Sequence, residues 1–261
     1  MNKAVVKYSG AKWRIAPWII EKLPAHHSYL EPYFGSGAVL FNKPASRIET
    51  VNDLDGDVVN LFRIIRDNPG PLCRATATTP YSRQEYDAAF SREPCDDIEQ
   101  ARRFLIRCWM GYGSRTNVKS GWTNDIAGRE AAYAVRNWQR LPMWIEEATE
   151  RLRQVQIECM LALELIERFN RPEVLIYADP PYMLSTRKGK QYACEMNDAD
   201  HVALLDTLLR HKGPVALSGY DNALYNDALQ GWAKYQVDTT AEKGLPRVET
   251  LWVNRAKEGF L

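Results

Sequence analysis

Short apolar runs and longer amphipathic stretches take turns along the chain, which is the pattern of strands alternating with helices. The strand-like segment 28–32 leads into a glycine turn and a helix over 38–43, and a short strand over 47–52 precedes an amphipathic helix over 58–66. This strand–helix–strand–helix order predicts the beginning of a parallel sheet.

The pattern changes at Asn68-Pro69-Gly70-Pro71, and the breaker-rich stretch up to Pro80 predicts a domain junction. From Ser82 to Leu152 the periodicity is mostly helical. We therefore expect a mainly helical insertion over residues 69–152.

Strand signals return after the insertion. They lie at 155–158, 174–178 and 214–218, with helical patterns at 161–169 and 201–210 between them, and two final strands follow at 233–237 and 248–253. The sequence thus predicts one α/β sheet domain, formed by residues 1–68 and 153–261 and divided by the insertion.

The composition of the 261 residues, 45% apolar and 26% charged, is that of an ordinary globular protein. No apolar run approaches the ~18 residues of a membrane span, and the N-terminal segment lacks the apolar block of a signal peptide. We therefore expect a cytoplasmic protein without membrane contact. The five cysteines form no CxxC pair or Cys/His cluster, which predicts neither a disulfide framework nor a metal site. No feature calls for an obligate protein partner.

The net charge of +1 is distributed unevenly along the chain. Residues 101–140 hold eight basic side chains against Asp125 and Glu130, so this segment carries +6 and the rest of the chain −5. The basic residues are Arg102, Arg103, Arg107, Arg115, Lys119, Arg129, Arg136 and Arg140. Either a local phosphate-contacting surface or a solvated basic helix face would produce this asymmetry.

Asp179-Pro180-Pro181-Tyr182 follows the apolar run 174–178, at the carboxyl end of a buried strand, where open α/β sheets bind ligands. Its prolines restrict the backbone. An amino group on a base is a poor nucleophile because its lone pair is delocalised into the ring. Hydrogen bonds to the Asp179 carboxylate and the Pro180 carbonyl would localise that lone pair, and Tyr182 could stack on a base rotated out of a duplex. The alternative is a strand-to-loop turn stiffened by prolines.

Glu31-Pro32-Tyr33-Phe34-Gly35-Ser36-Gly37 forms another strand end before a helix, where glycines allow a ligand to approach the backbone closely. The motif alone is weak, because Leu40 replaces the third glycine of a dinucleotide-binding turn, and a tight turn without a ligand is an equal interpretation. Asp53 strengthens it, since it lies sixteen residues after Gly37 at the end of the second strand, where acidic side chains take ribose hydroxyls. Asp53 could instead cap the helix that begins near Asp55.

Four segments in this order, 7–12, 31–37, 52–53 and 179–182, resemble the Dam-type (D12 class) family of DNA adenine-N6 methyltransferases. The first reads Lys7-Tyr8-Ser9-Gly10-Ala11-Lys12. The resemblance implies a Rossmann-like S-adenosylmethionine-dependent methyltransferase sheet with a DNA-recognition insertion. It also implies methyl transfer from S-adenosylmethionine to adenine N6 at specific sites in double-stranded DNA, with the target base flipped out of the helix.

The resemblance also assigns residues. It makes Asp179, Pro180, Pro181 and Tyr182 catalytic, and it assigns cofactor contacts to Tyr8, Lys12, Phe34, Gly35, Ser36, Gly37, Asp53 and Asp179. Without the resemblance, Lys12 would be an ordinary surface lysine. One departure is Met160-Leu161-Ala162, which is apolar where the family often has an acidic residue near the cofactor adenine.

Within the insertion, residues 113–117 and Gly121 resemble the family's hairpin that enters DNA. The residues expected to contact DNA are Tyr112, Arg115, Asn117 and Lys119. Trp109 and Trp138 either join this surface or belong to the core of the insertion. Residues 217–222 either wall the base pocket or form an ordinary strand–helix loop, and 185–190 form either a lid or a solvated loop.

Three functions stay open at the level of the sequence. The leading one is N6 methylation of adenine in duplex DNA. The second keeps the chemistry on another planar amino group, such as cytosine N4, an RNA adenine or a protein amide. The third is a DNA-binding module without activity. The aspartate that begins the tetrapeptide favours adenine, the basic insertion disfavours small substrates, and the intact tetrapeptide argues against the inactive module.

Overall fold

The computed structural model describes residues 4–90, 96–114, 116, 118–127, 132–186, 192–240 and 246–254. Within these ranges the strands are β1 (Ser28–Glu31), β2 (Ile48–Asn52), β3 (Val155–Glu158), β4 (Val174–Ala178), β5 (Val215–Gly219), β6 (Ala233–Thr240) and β7 (Pro246–Val253). They form one sheet in the order β3-β2-β1-β4-β5-β7-β6. The five neighbouring strands β3, β2, β1, β4 and β5 are parallel to one another. Strand β7 runs antiparallel to both β5 and β6.

The helices of the described ranges alternate with these strands or lie between β2 and β3. They are α1 (Ala16–Lys22), α2 (Ala38–Asn42), α3 (Gly56–Asp67), α4 (Pro69–Thr78), α5 (Arg83–Ala88), α6 (Asp97–Met110), α7 (Tyr133–Leu152), α8 (Ala162–Arg168), α9 (Asp198–Leu209) and α10 (Ala223–Ala228). Short 3-10 turns lie at Tyr112–Ser114 and Leu184–Thr186.

This topology confirms the predicted α/β class, a Rossmann-like methyltransferase sheet with a mainly helical insertion. The chain runs outward from β1 through β2 to β3 and then returns to β4, which pairs with β1. Strand order therefore reverses between β1 and β4. Open α/β sheets bind their ligands at the carboxyl ends of the strands on either side of such a reversal.

The central strand β4 is buried at all five positions. Leu175 and Tyr177 belong to the hydrophobic cluster on one side of the sheet, and Ile176 and Ala178 belong to the cluster on the other side. Both faces are therefore covered, which explains why this strand is a continuous apolar run without polar alternation. The Asp-Pro-Pro-Tyr segment therefore follows directly after a completely buried strand.

The breaker-rich stretch over residues 68–80, where the sequence predicts a domain junction, is mostly helical. Helix α3 ends at Asp67, and α4 begins at Pro69 after the single residue Asn68. Proline is tolerated in the first turn of a helix, since its missing N–H would have no partner there. The prolines of this stretch therefore start a helix, and the boundary of the insertion at residue 69 stays a prediction.

The helices between β2 and β3 pack on one another and on the sheet domain. Helix α4 packs against α7, and α3 packs against both α6 and α7. Trp109 and Trp138 are buried, and their indole N–H groups donate to the Val5 carbonyl at 2.7 Å and the Thr79 carbonyl at 2.9 Å. The core interpretation of these two tryptophans is therefore correct, and the hydrophobic cluster that contains them also contains sheet residues.

No helix in the described part of the chain has the length and apolar character that crossing a membrane requires.

Candidate active site

A cavity of about 580 Å³ opens at the carboxyl edge of the sheet, where the strand order reverses. Its walls are residues at the ends of β1 to β4, the segment 8–12, and residues of the segment 192–196. Among the predicted cofactor contacts, Tyr8, Lys12, Phe34, Gly35, Ser36, Asp53 and Asp179 line this cavity. Pro181 also lines it, whereas Gly37, Pro180 and Tyr182 lie outside its lining.

Lys12 and Asp179 form a buried ion pair at the inner end of this cavity. The Lys12 ammonium nitrogen lies 3.1 Å from Asp179 Oδ2, and it also donates to the Gly10 carbonyl at 2.6 Å. Only 5% of the Lys12 side chain is exposed, so its interpretation as an ordinary surface lysine is wrong. Burial opposes its charge, yet the carboxylates of Asp179 and Glu249 hold the Lys12 pKa above its ordinary value.

The second carboxylate oxygen of Asp179 has a different environment. Oδ1 is buried and has no hydrogen-bond partner among the described residues. Leaving a buried charged acceptor unsatisfied costs about 1–3 kcal/mol or more, so a donor supplied by a ligand would be stabilised there. Burial raises the pKa of Asp179, Lys12 opposes this shift, and Glu249 adds to it.

Asp53 holds the glycine turn to the end of β2. Its Oδ2 accepts from the Gly35 N–H at 2.8 Å, and its Oδ1 accepts from the Asp55 N–H at 2.9 Å. The N-cap of α3 is Asp55, whose side chain accepts from the Asp57 N–H, so the capping role does not fall to Asp53. Burial raises the pKa of Asp53 to about 6, although the backbone donors oppose the shift.

Gly37 has a structural reason to be glycine. Its φ of +66° lies in the left-handed region, and a Cβ at this position would meet the Phe34 ring at 2.5 Å and the Phe41 ring at 2.7 Å. Beside it, the Ser36 hydroxyl accepts from the Trp13 indole N–H at 3.1 Å. The glycine turn is therefore packed from behind by aromatic rings while its front lines the cavity.

Glu31 and Asn52 are among the polar side chains that line the cavity and were not predicted as site residues. Glu31 accepts from the Tyr29 hydroxyl at 2.7 Å, and burial raises its pKa to about 8. Asn52 donates to the carbonyls of Pro32 at 2.9 Å and Met160 at 3.1 Å, and its side-chain oxygen accepts from the Met160 N–H. Asn52 thus joins the loops after β1 and β3. Both residues belong to motifs that were recognised in the sequence. Glu31 is the first residue of the glycine motif, and Asn52 directly precedes Asp53.

The cavity wall next to β3 is mainly apolar. Leu161, Ala162 and Leu163 line this wall. The next residue in the chain, the acidic Glu164, also lines the cavity. On the opposite side the rings of Tyr8 and Tyr192 approach each other, with centroids 6.1 Å apart. The cavity therefore offers apolar surfaces for a flat ring at one end and charged groups at the other.

Tyr182 stands behind Asp179 and is held from three directions. Its ring makes an edge-to-face contact with Tyr220 at a centroid distance of 4.6 Å, and the Lys12 ammonium lies 4.6 Å from its ring centroid. Its hydroxyl donates to Glu249 Oε2 at 2.6 Å. Residues of the segment 217–222 therefore do reach the tetrapeptide, through Tyr220.

The predicted DNA-contacting residues fall partly within the described ranges. Tyr112 is 61% exposed, and Lys119 is a surface residue that pairs with Asp87 at 2.8 Å. Arg115 and Asn117 lie outside the described residues. No group of three or more His, Cys, Asp or Glu side chains within the described ranges could hold a metal ion.

The basic excess of residues 101–140 is smaller at the surface than in the sequence. On α6, Arg102 and Arg103 pair with Glu99, and Arg107 pairs with Asp57. These three arginines form ion pairs within the protein, so only part of the basic charge of residues 101–140 is available to contact a partner. Arg136 and Arg140, one turn apart on α7, are exposed, and the described residues give them no ion pair.

The doubly wound sheet, the acidic residue after β2 and the Asp-Pro-Pro-Tyr segment after β4 are together the features of an α/β methyltransferase. The family described as D12 class N6 adenine-specific DNA methyltransferase matches residues 8–242. The chain therefore belongs to the D12 class of N6 adenine-specific DNA methyltransferases.

Individual relatives agree with this membership. The chain is 24% identical over 231 residues to the type II methyltransferase M.MjaIII of Methanocaldococcus jannaschii. This match covers 77% of this chain and 78% of that protein. It is 24% identical over 243 residues to a DNA adenine methylase of Salmonella typhi, covering 88% and 84% of the two chains. The chain is also similar to a solved structure described as a putative methyltransferase yhhF from Escherichia coli, at 10% identity and a TM-score of 0.36, and the match covers 94% of this chain and 81% of that chain.

Proposed function

We propose that the protein transfers a methyl group from S-adenosylmethionine to adenine N6 at specific sites in double-stranded DNA, acting on a base flipped out of the helix. The observation that carries this proposal is the Lys12–Asp179 pair at the inner end of the cavity. It leaves one buried carboxylate oxygen, Asp179 Oδ1, without a hydrogen-bond partner among the described residues.

The cavity fits the cofactor in size and in the order of its groups. Its volume, about 580 Å³, lies within the usual range for small-molecule sites. Asp53 stands after β2, where ribose hydroxyls bind in this class of sheet, and Leu161 and Leu163 offer apolar surface for the adenine ring beyond it. Glu31 and Lys12 border the other end, where the charged amino-acid part would lie. When bound, S-adenosylmethionine supplies a methyl group on a positively charged sulfur.

The protein's own residues would prepare the amino group of the target base. Asp179 Oδ1 accepts a hydrogen bond from one N–H and the Pro180 carbonyl accepts from the other, which concentrates the lone pair on the nitrogen. Lys12 fixes Asp179 through Oδ2 and leaves Oδ1 available. As the nitrogen gains its bond to the methyl carbon, the carbon–sulfur bond of the cofactor would break and its electron pair would stay on the sulfur. The nitrogen would lose one proton, which would pass to Asp179 and then to water. The raised pKa of Asp179, caused by burial, suits that step. Catalysis would rest mainly on positioning and fixed polar groups.

The insertion, residues 69–152, would recognise the DNA target. Residues 1–68 and 153–261 would form the catalytic domain. Tyr112 and Lys119 are exposed in this insertion, and Arg115 and Asn117 are assigned with them by the family resemblance. The exposed arginines of α7 add positive charge to the same part. Tyr182 would stack on the flipped adenine, because its ring adjoins Lys12 and Asp179.

Analysis of digested nucleosides tests this proposal. The protein is incubated with S-adenosylmethionine carrying a labelled methyl group and, in separate reactions, with unmethylated duplex DNA, single-stranded DNA and RNA. Label in N6-methyladenine from duplex DNA supports the proposal. Label in N4-methylcytosine, label only from an RNA substrate, or DNA binding without any product would each contradict it.

A further inference from the structure

Glu249 reaches the candidate active site from the antiparallel end of the sheet. Strand β5 ends at Gly219, which pairs with Thr250 of β7. Because β7 runs in the opposite direction, Glu249 lies one residue beyond the end of β5, at the carboxyl edge of the parallel strands. Asp179 and Tyr220 follow β4 and β5 at this same edge.

The burial of Glu249 requires an explanation. Alternate residues of β7 share one face, so Glu249 stands in a row with Leu251 and Val253, which are completely buried. Glu249 itself is only 9% exposed. Burying a carboxylate is costly unless it is paired or hydrogen-bonded, and an apolar residue would continue this row at no such cost.

The hydroxyl of Tyr182 donates a hydrogen bond to Glu249 Oε2 at 2.6 Å. This contact acts on the far end of the tyrosine, whereas Tyr220 and Lys12 contact its ring. The hydroxyl bond fixes the direction of the long axis of the ring, and the edge-to-face contact with Tyr220 fixes its plane. Together they hold the face of Tyr182 in one orientation before any base arrives.

We infer that Glu249 is a positioning residue for the target base, which orients the Tyr182 ring as the surface on which the flipped adenine stacks. The inference rests on the proposed function, since it names the group that shapes the base site of the same reaction. Glu249 touches neither the base nor the cofactor and acts through the Tyr182 hydroxyl.

Three variants separate this role from a general structural one. Glu249→Gln keeps an oxygen that accepts from the phenol, Glu249→Leu removes the acceptor, and Tyr182→Phe removes the donor while keeping the ring. A misplacement of about 1 Å at a reacting group can cost on the order of 100-fold in rate. We expect Glu249→Leu and Tyr182→Phe to lower the single-turnover rate by about 10- to 100-fold, and Glu249→Gln to stay within about threefold of the wild type.

The double variant Glu249→Leu/Tyr182→Phe provides the decisive comparison. If Glu249 acts through the hydroxyl, the double variant loses no more rate than Tyr182→Phe alone, because Tyr182→Phe already removes the interaction that Glu249→Leu removes. Multiplied losses in the double variant would overturn the inference, since they would mean that Glu249 acts by another route.

Two measurements complete the test in the intact protein. Duplex DNA with 2-aminopurine in place of a mapped target adenine reports the environment of the base through its fluorescence. We expect the Glu249→Leu complex to lose the quenching that stacking on Tyr182 causes, while the affinity for S-adenosylmethionine stays unchanged. Tyr225→Phe is the matched control, because Tyr225 is equally buried and its hydroxyl lies 2.9 Å from His201 Nδ1, outside the cavity. This control should keep the wild-type rate and fluorescence.

The possible outcomes distinguish the two proposals. If the wild type produces N6-methyladenine and Glu249→Leu matches it in rate and fluorescence, the role of Glu249 is refuted and the proposed function stands. If the wild type produces no N6-methyladenine, both fail together. If Glu249→Leu does not fold, Tyr182→Phe and Glu249→Gln still decide, since a wild-type rate for Tyr182→Phe would overturn the inference.

Discussion

Lys12 from the N-terminal segment places its ammonium nitrogen 3.1 Å from Oδ2 of Asp179, the residue that follows β4. Both groups are largely removed from water, with 5% and 18% of their side chains exposed. The pair joins the beginning of the chain to the Asp-Pro-Pro-Tyr segment and determines which oxygen of Asp179 is left for a ligand.

Replacing Lys12 by methionine should destabilise the protein strongly. The variant leaves the buried Asp179 carboxylate without its cation, and breaking a buried pair from one side costs about 3–5 kcal/mol. We expect Lys12→Met to lower the free energy of unfolding by about 3 kcal/mol at pH 8, measured by urea denaturation. The loss should become smaller as the pH is lowered, because burial raises the pKa of Asp179 and its protonation removes the unpaired charge.

The control for this prediction is the double variant Lys12→Met/Asp179→Asn. It has neither buried charge, so it should recover part of the stability that Lys12→Met loses while staying inactive. A double variant that is less stable than Lys12→Met would show that the two side chains do not form an energetic pair.

Cofactor affinity should depend on the protonation of Asp53. Burial raises the pKa of its carboxyl to about 6, so the charged form that accepts from ribose hydroxyls is lost as the pH falls through that value. We expect the affinity for S-adenosylmethionine to be constant above pH 7 and to fall about tenfold by pH 5, measured by calorimetry. Asp53→Asn should bind more weakly at pH 8 and show a flatter profile. An unchanged affinity between pH 5 and pH 8 in the wild type would contradict the assignment of Asp53.

Glu31 should make the stability of the free protein depend on pH. Burial raises its pKa in the folded state to about 8, above the ordinary 4.5. Between these values the folded state holds a proton that the unfolded chain releases, so this contribution to stability falls as the pH rises from 4.5 to 8. Glu31→Gln keeps the neutral form and should therefore become increasingly more stable than the wild type over this window, by up to about 1.4 kcal/mol per pH unit. Urea denaturation at pH 5 and pH 8 checks this. An equal difference at both values would contradict it.

The two groups of arginines in the insertion should differ in their effects on DNA binding. Arg136 and Arg140 are exposed on α7, whereas Arg107 on α6 pairs with Asp57. If the α7 arginines contact phosphates, Arg136→Gln/Arg140→Gln should weaken binding to all DNA sequences. It should also reduce the slope of log affinity against log salt concentration by roughly 0.9 for each lost contact.

Arg107→Gln is the matched control, because it removes one positive charge from the same segment at a paired position. It should lower stability and leave the salt slope unchanged. Titrations of labelled duplex DNA at several salt concentrations measure both variants, and the same slope for the α7 variant and the wild type would contradict a phosphate-contacting role.

The sequence was informative about strands and strand ends because these follow from local patterns. The continuous apolar run at 174–178 is β4 and is buried on both faces. Asp53 and Asp179 come directly after strands, so a parallel sheet brings them to one edge, and both line the same cavity. Pro69 lies in the first turn of α4, where proline is tolerated, so the prolines after residue 68 start a helix there.

Contacts between distant parts of the chain were not predictable from these patterns. Lys12 has no local feature that distinguishes it from a surface lysine, and its burial depends on Asp179. Glu249 precedes Thr250, which pairs with Gly219 of β5. The sequence alone does not show how β7 is aligned with β5, so it could not place Glu249 at the site. The basic excess of residues 101–140 is a property of composition, and the pairing partners Glu99 and Asp57 both lie outside that segment.

The central claim is that Asp179 prepares the target amino group, and a single-turnover measurement of methyl transfer with Asp179→Asn tests it most directly. Enzyme saturated with labelled S-adenosylmethionine is mixed with duplex DNA, and label in N6-methyladenine is followed over time. Asparagine keeps the size of the side chain but removes its charge and its capacity to take a proton. We expect the rate of the variant to fall at least about 100-fold while it still binds DNA. A rate for Asp179→Asn close to that of the wild type would contradict the account.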